Sequence, residues 1–519
     1  MKLVTAMATV AGLTGVSRIA GFARDMLTAS ILGAGPAADA FFVALKLPNL
    51  FRRITAEGAF TVSFLPLYTK TLEQEGEAEG WKLVLNAFSF MLFGLGAFTA
   101  LILLIMPWFI YLVAPGFASG EIRYELAVEM TRITFPYLLL MSLTALLGAV
   151  LNAHNRFGPF AVAPVIFNLT LIGALLLSQK AEAAGHAMAI GVLAAGFLQF
   201  FWLYYNARKV GFRLKVMRPV LDPKIRQIFK LMGPGIIGAG VMQINLFADI
   251  MIGSLLEQGS ISYLYYADRL NQLPLGMVGI AVGTALLPML SRALAAGRNE
   301  EATWLYSRAM EYCLLLALPA ATALMVIPGP LIKVLFERGA FGPEDSLATM
   351  QVLMGYALGL PPYIATKVFS TAHWARGDTS TPVKIAILST VFNIVASLIL
   401  IQFIGVAGIA LATGLAGWLQ FVAHVRALKG HEVARFDERF KRNALKIVAS
   451  SAAMAITLSV MLYGMGRAFE FWIYENALQG FTGLGVLIVT GAVVYGGAVL
   501  MTGAVKLQDI KRYTVRSKS

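Results

Sequence analysis

Five arginines interrupt or end segments that are otherwise apolar enough to lie in a lipid bilayer. Arg18 and Arg24 interrupt the first apolar stretch, Arg52 and Arg53 end the second, and Arg269 interrupts a run near the middle of the chain. A cation in hydrocarbon costs about 2.5–3.5 kcal/mol on insertion scales, so such residues normally face a water-filled cavity. Guanidinium groups suit phosphate oxygens. The pattern therefore predicts a membrane protein with a cationic chamber that holds an anion.

Carboxylates accompany these arginines and begin or flank the same segments: Asp25, Asp39, Glu57 and Asp268. Asp25 directly follows Arg24, so an ion pair near the membrane interface is the structural alternative to a cavity role for this arginine. Asp39 and Asp268 open equivalent segments in the two halves of the chain. This pseudo-symmetry favours a role in closing a gate over a random surface charge.

Three polar residues lie inside later apolar segments: Asp249, Asn393 and Thr413. A carboxylate with two neutral oxygens can bind Na⁺ or relay a proton. A protonated Asp249, or one hydrogen-bonded to a neighbouring helix, fits the same pattern. The single cysteine allows no intramolecular disulfide, and the five histidines show no metal-ligand spacing. No nucleotide-binding loop, nucleophile elbow or zinc-protease motif is present, so we expect a transporter rather than an enzyme, without a resident cofactor.

The composition excludes a soluble globular protein. Of the 519 residues, 58% are hydrophobic and 13% are charged, whereas soluble domains carry about 25% charged residues. A membrane span needs about 20 apolar residues. About fourteen candidate spans begin near residues 4, 37, 82, 125, 159, 186, 233, 261, 304, 346, 381, 405, 444 and 479. Because backbone groups in lipid must bond internally, we predict an all-α polytopic membrane protein whose first span is retained rather than cleaved as a signal peptide.

The distribution of basic residues predicts the orientation. Lysines and arginines concentrate in residues 210–230, in residues 426–446 and in the tail after Lys506, which lie on one side of the membrane if there are fourteen spans. Cytoplasmic loops carry this excess, so both termini are predicted to be cytoplasmic. The net charge of +14 is then explained without nucleic acid as a partner.

An internal repeat with a period of about 225 residues divides the chain. Five short segments recur in the same order: 38–39 with 267–268, 64–66 with 286–288, 115–117 with 338–341, 135–137 with 361–363, and 167–168 with 392–393. Two lobes of six spans around a central site are a transporter architecture. We predict an N-lobe at 1–209, a basic amphipathic linker at 210–232, a C-lobe at 233–430, and two further spans with a basic tail at 431–519.

Several motifs resemble those of the MurJ (MviN) lipid II flippases. They are Ser17-Arg18-Ile19-Ala20-Gly21-Phe22-Ala23-Arg24-Asp25, Ala38-Asp39-Ala40-Phe41-Phe42-Val43-Ala44, Lys46-Leu47-Pro48-Asn49-Leu50 before Arg52-Arg53, Ala56-Glu57-Gly58-Ala59-Phe60, and Tyr265-Tyr266-Ala267-Asp268-Arg269-Leu270. The resemblance covers the whole chain and is most specific in the first sixty residues. It implies the multidrug/oligosaccharidyl-lipid/polysaccharide exporter fold, with two six-helix lobes in a V around a central cationic cavity and two C-terminal helices that form a hydrophobic groove.

The resemblance also implies a substrate and site residues. The substrate is lipid II, the undecaprenyl-diphosphate-linked disaccharide-pentapeptide, which moves from the inner to the outer leaflet of the bacterial cytoplasmic membrane for peptidoglycan synthesis, cell-wall biogenesis and cell shape. The essential arginines of the family match Arg18, Arg24, Arg52 and Arg269, with Asp39 and Glu57 as associated acids. A family sodium site matches Asp249, Asn393 and Thr413. Its second carboxylate falls near Ser397, a departure that favours membrane-potential coupling over Na⁺.

Three other functions remain open at the level of sequence. A multidrug exporter of the same superfamily usually carries cationic substrates, which the arginines oppose. A polysaccharide-repeat flippase shares the anionic lipid carrier, and only the family motifs distinguish it. A scaffold that binds cell-wall synthesis proteins without transport leaves five costly arginines unexplained. For the flippase, membrane lipids and cell-wall synthesis proteins are further predicted partners.

Overall fold

A computed structural model describes residues 3–53, 60–117, 120–178, 181–429, 435–464 and 476–505. Over these ranges the chain forms eighteen helices and no strand, which confirms the predicted all-α architecture. Two compact units are present. The first comprises Met1–Ser262 and Arg338–Gly342, and the second comprises Tyr263–Glu337 and Pro343–Ser519.

Ten helices lie wholly in the first unit. They are α1 (Leu3–Leu32), α2 (Pro36–Arg52), α3 (Thr61–Glu75), α4 (Glu77–Leu104), α5 (Met106–Val113), α6 (Ile122–Thr134), α7 (Tyr137–Ala153), α8 (Gly158–Leu177), α9 (Ala181–Arg208) and α10 (Pro223–Ser254). Proline at the first helical position begins α2 and α10, because its missing N–H would lack an intrahelical partner there in any case. The Asp222 carboxylate caps α10 by accepting from the Ile225 amide.

Eight further helices follow. They are α11 (Ser260–Ala295), α12 (Asn299–Val326), α13 (Pro328–Phe336), α14 (Pro343–Ala375), α15 (Ser380–Ile404), α16 (Ala407–Leu428), α17 (Glu438–Gly464) and α18 (Ala477–Met501). Helix α11 begins in the first unit and continues into the second. Glycines allow α14 and α16 to touch along their backbones: a Cβ atom at Gly359 would lie 2.6 Å from the Cα of Gly414. Such close approach of small residues is typical of membrane helices.

Nine segments within the described ranges are long and apolar enough to cross a membrane: α4, the continuous pair α6–α7, α8, α9, α12, α15, α16, α17 and α18. The other five predicted spans fall on α1, α2, α10, α11 and α14, four of which carry the charged candidates of the sequence analysis. A polytopic membrane protein is therefore confirmed. The count of fourteen crossings stays a prediction.

The first compact unit extends to Ser262. The span count instead predicts that the C-lobe begins at residue 233. Helix α10 is the reason, because Ile225 and Ile228 pack into the apolar core that α3, α4 and α7 build in the first unit. Residues 212–222 precede this helix as an extended segment that lies along α4. The six-plus-six division of spans stays a prediction.

Candidate functional site

Arg24 is buried in α1 and held in a fixed orientation. Its side chain is 7% exposed, and its Nε and Nη2 donate to the Asp25 carboxylate at 3.1 and 2.6 Å. Its Nη1 donates to the Asn168 amide oxygen of α8 at 2.9 Å, and its guanidinium lies 5.8 Å from the centroid of the Phe167 ring. A guanidinium bound on several sides loses little rotamer freedom on meeting an anion.

Asn168 joins α1 to α8 along a polar seam. While its oxygen accepts from Arg24, its amide nitrogen donates to the backbone oxygen of Ser17 at 3.0 Å. Gly21 makes room for it, since a Cβ atom there would lie 3.4 Å from that nitrogen. From the sequence, Asn168 was recognised only as one half of a repeat pair and not as a site residue. An amide inside an apolar span was the available signal, because a buried polar group needs a partner.

The other N-terminal arginines have different surroundings. Arg18 is exposed and lies about 240° around α1 from Arg24, as a separation of six residues dictates. Arg52 is half-buried and donates from Nε to Asn49 within its own helix at 3.1 Å, and Arg53 is exposed where α2 ends. Glu57 lies outside the described residues. Among the predicted acids, Asp25 contacts a guanidinium, that of Arg24.

Arg269 occupies the second compact unit, within α11. Its Nη2 donates to the Tyr265 hydroxyl at 2.7 Å, one turn earlier, and its guanidinium stands 4.5 Å from the centroid of the same ring. The neighbouring Asp268 accepts from Gln272. A half-buried guanidinium above an aromatic face is attracted by the negative charge of that face.

Asp39 is fully buried at the start of α2, and its partners come from the start of α11. Its carboxylate accepts from the Gly259 amide at 2.8 Å, from the Ser262 amide at 2.9 Å and from the Ser262 hydroxyl at 2.6 Å. Amide groups at a helix N-terminus have no intrahelical acceptor and attract negative charge. Asp39 therefore caps a helix that begins more than two hundred residues later.

Further contacts surround this cap. The Ala340 amide donates to the Ser30 oxygen at 2.8 Å, the Gly116 amide donates to the Ser254 hydroxyl at 3.0 Å, and Arg123 donates from Nη1 to the Leu256 oxygen at 3.1 Å. Glycines bring the backbones together: a Cβ atom at Gly33, Gly116 or Gly339 would lie 2.1–2.4 Å from a backbone atom across the contact. We call this set the Asp39 latch: Ser30, Gly33, Asp39, Gly116, Arg123, Ser254, Leu256, Gly259, Ser262, Gly339 and Ala340.

Two of the three predicted sodium ligands meet in the second unit. Asn393 in α15 donates from Nδ2 to the Thr413 hydroxyl in α16 at 2.9 Å, and Ser397 is buried one turn further along α15. Asp249 lies half-buried in α10, which belongs to the first unit. In the part of the chain that the structure describes, no three His, Cys, Asp or Glu residues are grouped as metal ligands. The sodium site stays a prediction.

A buried ion network in the second unit was not predicted. Arg308 of α12 forms an ion pair with Glu311 one turn later and donates from Nη2 to both carboxylate oxygens of Asp437 at 2.6 and 2.7 Å. Asn443 of α17 donates to Glu311 at 2.9 Å and to the Ala504 oxygen at 3.0 Å. The network ties α17 and the residues after α18 to α12. The i, i+3 spacing of Arg308 and Glu311 inside an apolar span was its sequence signal.

Comparison with known proteins shows which family this chain belongs to. The sequence model described as "Lipid II flippase MurJ" matches residues 28–480. A "Probable lipid II flippase MurJ" from Rhizobium meliloti (strain 1021) is 38% identical over 534 residues, which cover all of this chain and 97% of that protein. A "Lipid II flippase MurJ" from Burkholderia cenocepacia is 32% identical, over 88% of this chain and 89% of that protein. The chain belongs to the MurJ family.

Solved structures agree with this membership. A "Lipid II flippase MurJ, inward closed conformation" is 27% identical and superposes with a TM-score of 0.78 over 94% of this chain and 97% of that one. An inward-facing multidrug transporter of the MATE family and MOP superfamily reaches a TM-score of 0.62 at 14% identity, over 79% of this chain and 92% of that one, and so shares the fold alone. The MurJ family consists of transporters, so the expectation of a non-enzymatic protein is confirmed.

Proposed function

We propose that this member of the lipid II flippases carries lipid II from the cytoplasmic to the outer leaflet of the bacterial cytoplasmic membrane by alternating access. The observation that supports it best is the position of Arg24, a buried cation fixed by Asp25 and Asn168 in the first helix. Charged residues within membrane spans are rare and are often associated with substrate sites. A diphosphate, with about two negative charges, suits such a site because guanidinium N–H groups match phosphate oxygens.

Arg24 and Arg269 have complementary roles in this proposal. Each contributes a guanidinium to the diphosphate at some stage of the cycle, with Arg18 and Arg52 as further cationic groups on the path. The Asn168 oxygen accepts from Nη1 of Arg24. In the proposed loaded state a phosphate oxygen replaces this neutral acceptor at Nη1, while Asp25 keeps the guanidinium oriented through Nε and Nη2. Tyr265 plays the same part for Arg269 through its hydroxyl and ring.

The Asp39 latch supplies the gate in this mechanism. Its contacts join elements of the predicted N-lobe to residues 254–262 and 338–342 of the predicted C-lobe. With both termini in the cytoplasm, these segments face outward, and the latch closes the outer side while substrate enters from the inner leaflet. Release requires breaking the hydrogen bonds of one carboxylate and a few backbone contacts, which is compatible with repeated opening.

The lipid tail and the energy source follow from the same chemistry. A polyprenyl chain stays in the bilayer because a cationic chamber cannot solvate it, and the surfaces of α17 and α18 are its route. With a negative cell interior, the membrane potential favours outward movement of the bound anion and inward return of the empty cationic site, at about 2.3 kcal/mol per charge and 100 mV. The resemblance to the family puts its second sodium-binding carboxylate near the uncharged Ser397, which supports coupling to the potential over Na⁺.

The test is the leaflet distribution of lipid II in a strain depleted of its own flippase. Arg24→Ala and Arg269→Ala are each expected to leave lipid II in the inner leaflet while the protein remains folded in the membrane. Arg298→Ala is the matched control, because this arginine is exposed and paired with Glu301 one turn later. Normal outward transport by both Arg24→Ala and Arg269→Ala would contradict the proposed substrate site.

A further inference from the structure

An apolar cavity of about 200 Å³ lies between α4 and the first turns of α10 in the first compact unit. Phe90, Met91 and Gly94 line it from α4, and Ile225, Phe229 and Met232 line it from α10. The spacing of the α10 residues places them on one face of that helix. Phe229 is 47% exposed, so the wall of the cavity continues into accessible apolar surface.

Basic side chains lie along the first turns of α10 and along the extended segment before it. Between residues 213 and 230 the chain carries six cations: Arg213, Lys215, Arg218, Lys224, Arg226 and Lys230. We call them the basic strip. All but Lys224 are exposed, and Lys224 pairs with Glu75 at 2.7 Å. Asp222 is the one acid of this range, and its carboxylate is engaged by Asn86 and by the Ile225 amide.

The extended part of the strip is fastened to α4 beside the cavity. Asn86 donates to the Val220 oxygen at 2.7 Å and accepts from the Val220 amide at 2.9 Å. This one side chain therefore satisfies both backbone groups of Val220. One turn further along α4, the Ser89 hydroxyl accepts from the Met217 amide at 3.1 Å. The next residues of α4 are the cavity-lining Phe90 and Met91. Charge and cavity are therefore held next to each other by specific hydrogen bonds.

Apolar side chains alternate with the cations on the strip. Val216, Val220 and Leu221 are each more than half exposed. A segment that displays both lysines or arginines and accessible aliphatic groups matches the membrane interface, where headgroup charge and acyl chains lie within a few ångströms of each other. The excess of positive charge places the strip on the cytoplasmic face.

We propose that the cavity and the basic strip form a binding site for an anionic phospholipid of the cytoplasmic leaflet. One acyl chain enters the cavity between α4 and α10, and the phosphate headgroup is held by Arg226, Lys230 and neighbouring cations of the strip. Charge complementarity determines the choice of occupant, because a zwitterionic headgroup gains less than an anionic one from the five exposed cations of the strip. The inference is independent of the substrate site around Arg24.

The experiment titrates full-length purified protein with dioleoyl-phosphatidylglycerol or dioleoyl-phosphatidylcholine and counts bound lipid by native mass spectrometry. Gly94→Leu fills the cavity, since a Cβ atom at Gly94 meets open space. Gly96→Leu is its control, because this glycine lies on the same helix, also faces open space, and does not line the cavity. We expect Gly94→Leu to weaken phosphatidylglycerol binding about tenfold and Gly96→Leu to leave it unchanged.

A charge variant tests the headgroup contact separately and keeps the test valid if Gly94→Leu does not fold. Arg226→Gln with Lys230→Gln changes two exposed residues, and each lost charge should weaken phosphatidylglycerol binding about fivefold without affecting phosphatidylcholine. Lys441→Gln with Arg442→Gln, at exposed positions of α17, is the matched control. Equal lipid binding by the double variant and its control would overturn the proposal. So would displacement of phosphatidylglycerol by an equimolar polyprenyl phosphate, which would assign the cavity to the carrier lipid.

Discussion

The carboxylate of Asp39 accepts hydrogen bonds from both the backbone amide and the hydroxyl of Ser262, at 2.9 and 2.6 Å, across 223 positions of sequence. The pair fixes the first turn of α2 to the first turn of α11. Because the acceptor is a buried anion and the donors belong to a helix N-terminus, each hydrogen bond is of the charge-assisted kind. The latch therefore depends on one ionised side chain.

Asp39→Asn should open the latch more often. The amide removes the charge and directs a donor group at the Gly259 or Ser262 amides, which costs about 1.5–3 kcal/mol and raises the open population at least about tenfold. A cysteine introduced as Ala37→Cys then reacts at least about tenfold faster with an impermeant thiol reagent. The natural Cys313 is buried and adds little background.

Two comparisons make that measurement decisive. Glu344→Gln, at an exposed acid of α14, should leave the labelling rate of Ala37→Cys unchanged. Accumulation of substrate should change the rate in the protein that retains Asp39. A rate that is constant in the Asp39→Asn variant and across substrate levels would show that no gate operates at this residue.

Arg24→Lys should impair transport although it preserves the charge. A lysine ammonium cannot reach the Asp25 carboxylate and the Asn168 oxygen with the planar geometry of a guanidinium. We expect at least a tenfold lower rate of lipid II flipping. Asn168→Leu should give a smaller loss in the same assay, since it removes only the partner of Nη1. Asn206→Leu, whose amide bonds within its own helix, should have no effect; equal rates for the two asparagine variants would argue against orientation by Asn168.

Arg308→Ala should destabilise the junction between α12 and α17. The substitution leaves the carboxylates of Glu311 and Asp437 without their shared cation, and loss of one partner from a buried ion pair costs about 3–5 kcal/mol. Thermal unfolding in detergent should show a clearly lower Tm. The comparison is Arg298→Ala, which removes an exposed pair worth about 0–1 kcal/mol. Similar Tm values for the two variants would mean that the network contributes nothing to stability.

Gly359→Ala should separate α14 from α16. The added Cβ would lie 2.6 Å from the Cα of Gly414, and backbone cannot move aside as a flexible side chain does. Overpacking of this kind costs about 1–3 kcal/mol. Gly485→Ala in α18 should instead raise the stability of the protein. Its Cβ meets open space, and alanine favours the helix by about 0.5–1 kcal/mol. Unfolding temperatures that rise for both variants would contradict the close packing.

Collapse of the membrane potential at fixed sodium concentration should stop flipping, whereas sodium removal at fixed potential should not. The reason is the cationic site together with the uncharged Ser397. Leaflet assays in vesicles with an ionophore provide the measurement. If flipping instead stops only when sodium is removed, Asp249, Asn393 and Thr413 would return as an ion site.

The sequence alone determined that this is an all-α membrane protein of the MurJ family, and it predicted that the arginines in its apolar helices form the substrate site. Those conclusions rest on local properties: the length of apolar runs, the cost of a charge within them, and motifs read residue by residue. The contact between Asp25 and Arg24 could also be predicted from local sequence, because adjacent residues are neighbours in any fold. The predicted partners among cell-wall synthesis proteins depend on surfaces that such local properties do not define.

Tertiary structure decided which of these residues are buried and what they contact. Arg18 and Arg24 look alike in sequence, yet one is exposed and the other is fixed by Asn168, because α8 packs on one face of α1. The partner of Asp39 comes from 223 positions away, and no periodicity encodes that pairing. These relationships depend on how helices dock, which is set by the combined packing of many residues and by glycines whose role appears only when another backbone lies against them.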